Sequence, residues 1–170
     1  YTTFAAHKVE TLRVIESPVL AGTLLLFWAV VMIVVSQRRQ SQSLALMAIL
    51  MAYFTCVIID RATVFSLFSA LLLTGAGIVL LLRNRWIAVS FASLAGTYLT
   101  FAYWRSPQLI EWMSGREPVL GNFWGAYGFL LGYWLLFTLA VFATRADVFG
   151  GARRTIFATL NNGAFIVLGS

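Results

Sequence analysis

The chain reads as an all-α polytopic transmembrane helical bundle of about six spans, built from repeated antiparallel helix hairpins. Three observations lead there. Of the 170 residues, 61% are hydrophobic and 11% charged, and the mean hydropathy of +0.87 is far too apolar for a water-soluble domain of this length. Five apolar runs, and the opening of a sixth, approach or reach the roughly 18 residues of a bilayer-spanning helix. A shift of 45 residues lays Arg38 on Arg83, Ile33 on Ile78, and Tyr53-Phe54-Thr55 on Tyr98-Leu99-Thr100. Lipid admits only helices or closed barrels, and the period-2 alternation of a barrel is missing. Leu71-Leu72-Leu73 and Ile78-Val79-Leu80-Leu81-Leu82 are apolar on every side.

In order, residues 1–17 read as an amphipathic interfacial segment, with Phe4, Val9, Leu12 and Ile15 at helical spacing among charged residues. Ser17 suits the cap and Pro18 the first turn of the first span, about 18–35. The bend Gln37-Arg38-Arg39-Gln40 leads into the second span, about 43–59. Asp60-Arg61 is a solvated turn before the third span, about 63–82, and Arg83-Asn84-Arg85 bends the chain into the fourth, about 86–104. Loops this short force antiparallel neighbours, so residues 18–104 form two repeated hairpins. Residues 105–121 read as an outer-side interfacial connection holding a short surface helix near Leu109–Met113, with Trp104 and Trp112 at headgroup level. The fifth span covers about 122–143, and after Gly150-Gly151 and Arg153-Arg154 a sixth begins near Thr155. Opening on Tyr1 and stopping at Ser170 inside an apolar segment, the sequence is expected to be a fragment of a longer chain.

The charges sort by loop. One side carries Arg38, Arg39, Arg83, Arg85, Arg145, Arg153 and Arg154 against Asp147 alone, while the other side balances to zero. The positive-inside rule then makes these basic turns topology-setting, with the Tyr1 side outward and the protein in the bacterial cytoplasmic (inner) membrane. The net charge of +6 resides in these loops rather than on a folded patch, which argues against nucleic acid as a partner. Cys56 is the sole cysteine, so an internal disulfide is excluded.

Several patterns resemble a known family. Pro18-x-x-Ala21-Gly22 opens an apolar helix, an Arg/Gln turn follows, and the return helix ends in Tyr-x-Thr. Val64-Phe65-Ser66 leads into Ala70-Leu71-Leu72 and Gly75, then the Arg-x-Arg-Trp turn at Arg83–Trp86. Together with a Leu-Asn-x-Ala-like element at Thr159–Ala164, these are similar to a bacterial family of predicted multi-pass membrane proteins catalogued as domain of unknown function 2339. The resemblance covers residues 17–104 best. It implies a long array of such helices and brings no reaction, ligand or catalytic residue.

The strongest local pattern is the glycine stripe of the fifth span, Gly121, Gly125, Gly128 and Gly132, on one helical face. Small residues let backbones approach closely where the hydrophobic effect cannot help, so this face is expected to pack against the same chain or against other membrane subunits. Ala70, Thr74 and Gly77 of the third span and Ser93, Gly96 and Thr100 of the fourth are expected to pack those two spans together. Polar groups at membrane depth are hydroxyls, which can return their hydrogen bonds to the preceding helical turn. Asn161 and Asn162 are expected to bond between helices. An ionisable residue near the midplane, the usual mark of a transport path, is missing. His7 has only Glu10 near it at ligand spacing, and no hydrolase elbow, phosphate loop or zinc pair is present. Catalytic and metal residues are therefore assigned to none, and no cofactor is evident. The lipid bilayer is the expected partner. A structural or accessory subunit is favoured over a transporter or channel for a small or lipidic molecule, and over an enzyme.

Overall fold

A computed structural model describes residues 18–59, 64–113, 123–144 and 150–170. The expected interfacial segment 1–17, the Asp60-Arg61 turn, residues 114–121 of the expected 105–121 connection (Gly121 among them) and Arg145 lie outside these residues. The described chain is all-α, with six helices: α1 (Pro18–Arg39), α2 (Gln42–Ile59), α3 (Val64–Asn84), α4 (Ile87–Met113), α5 (Phe123–Ala143) and α6 (Gly151–Gly169).

The two arginine bends share one construction. α1 ends at Arg39 and α2 starts at Gln42; α3 ends at Asn84 and α4 starts at Ile87, again 45 residues on. The residue that reverses the chain is left-handed in both, Gln40 at φ 52° and Arg85 at φ 59°. At Gln40 the N–H of Ser41 donates to Ser36 C=O (3.1 Å) and that of Gln40 to Gln37 C=O (3.2 Å), closing a Schellman cap. At Arg85 a single bond from its N–H to Leu81 C=O (2.9 Å) closes the simpler left-handed cap. Ser41 then serves as N-cap of α2, its hydroxyl accepting from Leu44 N–H at 3.4 Å.

The hairpins α1–α2, α3–α4 and α5–α6 stack in sequence, chiefly through α2 on α4, α3 on α5 and α4 on α6, with α2 also lying against α3. Stacked neighbours run parallel: Phe68 and Leu71 of α3 meet Phe129 and Gly132 of α5, while Phe91, Tyr98 and Arg105 of α4 meet Phe157, Asn161 and Leu168 of α6. Each hairpin thus packs on the next, as units of a repeat array do. The core lies along the seams, where Ile49, Leu67, Leu80, Leu81, Val89, Leu130, Tyr133, Phe137 and Phe157 are fully buried. Phe137 and Phe157 meet edge to face across α5 and α6, with ring centroids 5.8 Å apart.

Three helices are long and apolar enough to cross a membrane among the described residues: Ser66–Asn84, Ile87–Ser106 and Gly125–Ala143, within α3, α4 and α5. A shorter apolar stretch, Gln42–Cys56, lies in α2. About six spans were expected. In α6 the hydropathy is lowered by Arg153 and Arg154 in the first turn and by Asn161 and Asn162 at the middle. A second difference concerns the expected break after Trp104: α4 continues unbroken to Met113, through Pro107. Proline has no N–H to bond the carbonyl four residues earlier, and the Ser106 hydroxyl supplies the missing donor to Tyr103 C=O at 2.7 Å.

Candidate functional site

Buried polar side chains gather on two seams of the stack. On the first, Tyr53 of α2 inserts between α3 and α4. Its hydroxyl lies 2.7 Å from Thr97 Oγ1 and 3.3 Å from Ser93 Oγ. Thr97 Oγ1 in turn lies 2.7 Å from Thr74 Oγ1. The threonines also reach their own preceding turns, Thr97 to Ser93 C=O (2.7 Å) and Thr74 to Ala70 C=O (2.8 Å), and Ser93 crosses to Leu73 C=O (3.3 Å). All four side chains are buried. Thr100 is occupied by Gly96 C=O at 2.8 Å.

Small residues make this seam possible. A Cβ added to Gly77 would collide with the Ser93 side chain, so α3 and α4 touch there. A Cβ added to Gly96 would collide with the Tyr53 ring, including Cγ at 2.6 Å. Thr74, Gly77 and Ser93 therefore lie between the third and fourth helices, whereas Gly96 faces α2. The helical face holding Ser93, Gly96 and Thr97 is wide enough to meet two helices at once.

The second seam centres on Asn161 of α6, 1% exposed. Its Oδ1 accepts from Tyr98 hydroxyl at 2.6 Å, and its Nδ2 donates to Trp134 C=O (3.2 Å) and Thr138 Oγ1 (3.1 Å). Asn162, on the exposed side, accepts from Trp134 Nε1 at 2.7 Å. Both asparagines thus bond between helices, and for Asn161 burial in an apolar setting demands it. Two further ties carry little sequence signal. Tyr133 hydroxyl donates to Leu67 C=O at 2.7 Å, and Arg105 Nη1 donates to Leu168 C=O near the C-terminus of α6, where a cation is favoured. A lone phenol or arginine at an apolar border is the only hint of either.

The glycine stripe is placed differently from the other small residues. Gly125 and Gly128 are exposed, and an added Cβ would find no atom within 4 Å. Gly132 would meet only Leu71 Cδ1, at 3.8 Å. Arg38, Arg39, Arg83, Arg85, Arg153 and Arg154 all fall at one end of the bundle, since α1 and α3 finish where α2, α4 and α6 begin. Chemically, the seams offer neutral hydroxyl and amide groups that bond mainly to one another and to backbone. Among the described residues no three His, Cys, Asp or Glu side chains come together as a metal site would require.

No family model, curated protein or solved structure matches the chain.

Proposed function

We propose that the protein is a multi-pass component of the bacterial cytoplasmic membrane, its hairpins crossing the bilayer with the arginine bends on the cytoplasmic side and Tyr1 outward. Its role is structural or accessory: it packs in the membrane against other helices or subunits. The observation that supports this best is an apolar outer surface over an interior that takes in polar side chains. Ser36, Ser66, Ser69, Ser90, Thr74, Thr97, Thr144 and Asn161 are buried, while Phe27, Met47, Met51, Phe54, Leu72, Leu99, Phe142, Ile166 and Val167 are exposed, Phe142 to 75%. In water such a surface would aggregate; in lipid it is the surface expected of helices whose association depends on small and hydroxyl-bearing residues. The sorting of six arginines to one end fits the positive-inside rule.

The accessory role is favoured over a conduit because the hydroxyls that could line a path bond to protein. Tyr98 is held by Asn161, Thr97 by Tyr53 and Thr74, and Thr100 by its own helix. We also place the chain with the bacterial family catalogued as domain of unknown function 2339, on the motifs between residues 17 and 104.

The reading is tested by membrane extraction and labelling. The protein should resist alkaline carbonate and come out only in detergent. With Cys56→Ser as background, Ser41→Cys should react with an impermeant maleimide only after the cells are opened. Release by carbonate, or labelling of intact cells, would reject it. Purification of the native membrane assembly with its companions separates an accessory subunit from a free-standing carrier.

A further inference from the structure

The first and second hairpins are related by the 45-residue translation but differ in what their grooves present. In the second hairpin, the groove between α3 and α4 is filled by Tyr53, seated on Gly96 and bonded to Ser93 and Thr97. The corresponding positions of the first hairpin line a groove of about 220 Å³ between α1 and α2. There Thr74, Gly77, Ser93, Gly96 and Thr97 are replaced by Ala29, Met32, Ala48, Met51 and Ala52. The slot persists while its hydrogen-bonding groups are gone. Its one hydroxyl, Thr55, already donates to Met51 C=O at 2.7 Å.

Register and polarity decide what fits. A repeat carrying a tyrosine would leave its phenol unpaired among methionine side chains. The sequence before α1 puts Lys8 at the register of Tyr53, a costly charge at membrane depth. In a second copy stacked head to tail, the residue following Asn161, as Tyr98 follows Thr97, is Asn162, whose amide the groove cannot satisfy. A hydrocarbon chain needs no partner, and methionine walls adapt to it. At the bend end of the same hairpin Arg38 and Arg39 are exposed, and Arg39 lies about 10 Å along the helix from Met32. Paired arginines there complement an anionic headgroup.

We propose that this groove holds one acyl chain of an anionic phospholipid, with the headgroup phosphate on Arg38 and Arg39. The inference rests on the bilayer reading above. To test it, the full chain is reconstituted in phosphatidylcholine vesicles containing a minor fraction of acyl-brominated lipid, either phosphatidylglycerol or phosphatidylcholine. Trp28, which lines the groove, is followed as the difference between the wild type and Trp28→Phe. Brominated phosphatidylglycerol should quench it with about tenfold stronger apparent affinity than brominated phosphatidylcholine. Arg38→Gln with Arg39→Gln should bring the two lipids level, and Ala48→Phe, which fills the groove, should abolish quenching. Equal quenching by both lipids in the wild type, or a preference that survives the arginine pair, overturns the site whether or not Ala48→Phe folds. Shielding of Trp28 from both lipids means a protein occupant and overturns it too. If neither lipid quenches any tryptophan of the chain, the bilayer reading itself fails.

Discussion

The two polar seams bind their helices by different logics. Between α2, α3 and α4, Thr74 and Thr97 can each hand their proton to a backbone carbonyl or to one another, and Ser93 to Leu73 C=O or to Tyr53. Between α4, α5 and α6, three separate groups converge on the one amide of Asn161. The first seam is redundant and the second is not. Interhelical side-chain hydrogen bonds in membranes average only about 0.6 kcal/mol, so loss of a partner should matter chiefly where no substitute acceptor or donor exists.

The largest expected effect is steric and falls on the redundant seam. Gly96→Leu must displace the Tyr53 ring near its root, where it cannot swing aside, and should cost about 3 kcal/mol. Unfolding of the reconstituted protein in a denaturing detergent would read it; a change below about 1 kcal/mol would mean that Tyr53 is not seated there. Next, Asn161→Leu keeps the volume but strips the hub, and should cost about 2 kcal/mol by leaving Tyr98 and Thr138 without it. Limited proteolysis should then cut near α6 first. The comparison is sharpest in a matched pair. Tyr98→Phe leaves the Asn161 oxygen without its closest donor and should cost about 1.5 kcal/mol, whereas Tyr53→Phe should cost about 0.5 kcal/mol. Equal costs would erase the distinction between the seams. The smallest effect carries the opposite sign: with open space at its Cβ, Gly128→Ala should stabilise the isolated chain by about 0.5 kcal/mol through helix propensity. Should the same change weaken copurification with other membrane subunits, the glycine stripe is an intermolecular face.

The bends were legible in the sequence because the arginine turns recur at a fixed spacing, and translation by 45 residues puts both helix boundaries and the left-handed residue in register. Buried hydroxyls were legible as a class, since an apolar helix gives Thr74 or Ser93 few alternatives to an interior seam. Their partners were not. Whether Gly96 meets α3 or α2 depends on how far α4 rotates, an angle that periodicity leaves free by tens of degrees. The run of α4 through Pro107 depends on a hydroxyl one residue away adopting a single rotamer, which no residue pattern encodes. Span counting was blurred for a related reason: hydropathy scores Asn161 as a penalty, although its amide is fully engaged in the fold.

The sequential docking of hairpins also bears on biogenesis. In the bilayer topology proposed above, each pair of helices would find its seat on the pair translated before it, so the interface for α3–α4 would exist as soon as α1–α2 had left the translocon. Loop closures stay short and no segment waits for a distant one. Nascent chains arrested after the second hairpin should already bury Tyr53, whereas Tyr98 should gain its partner only when α6 emerges.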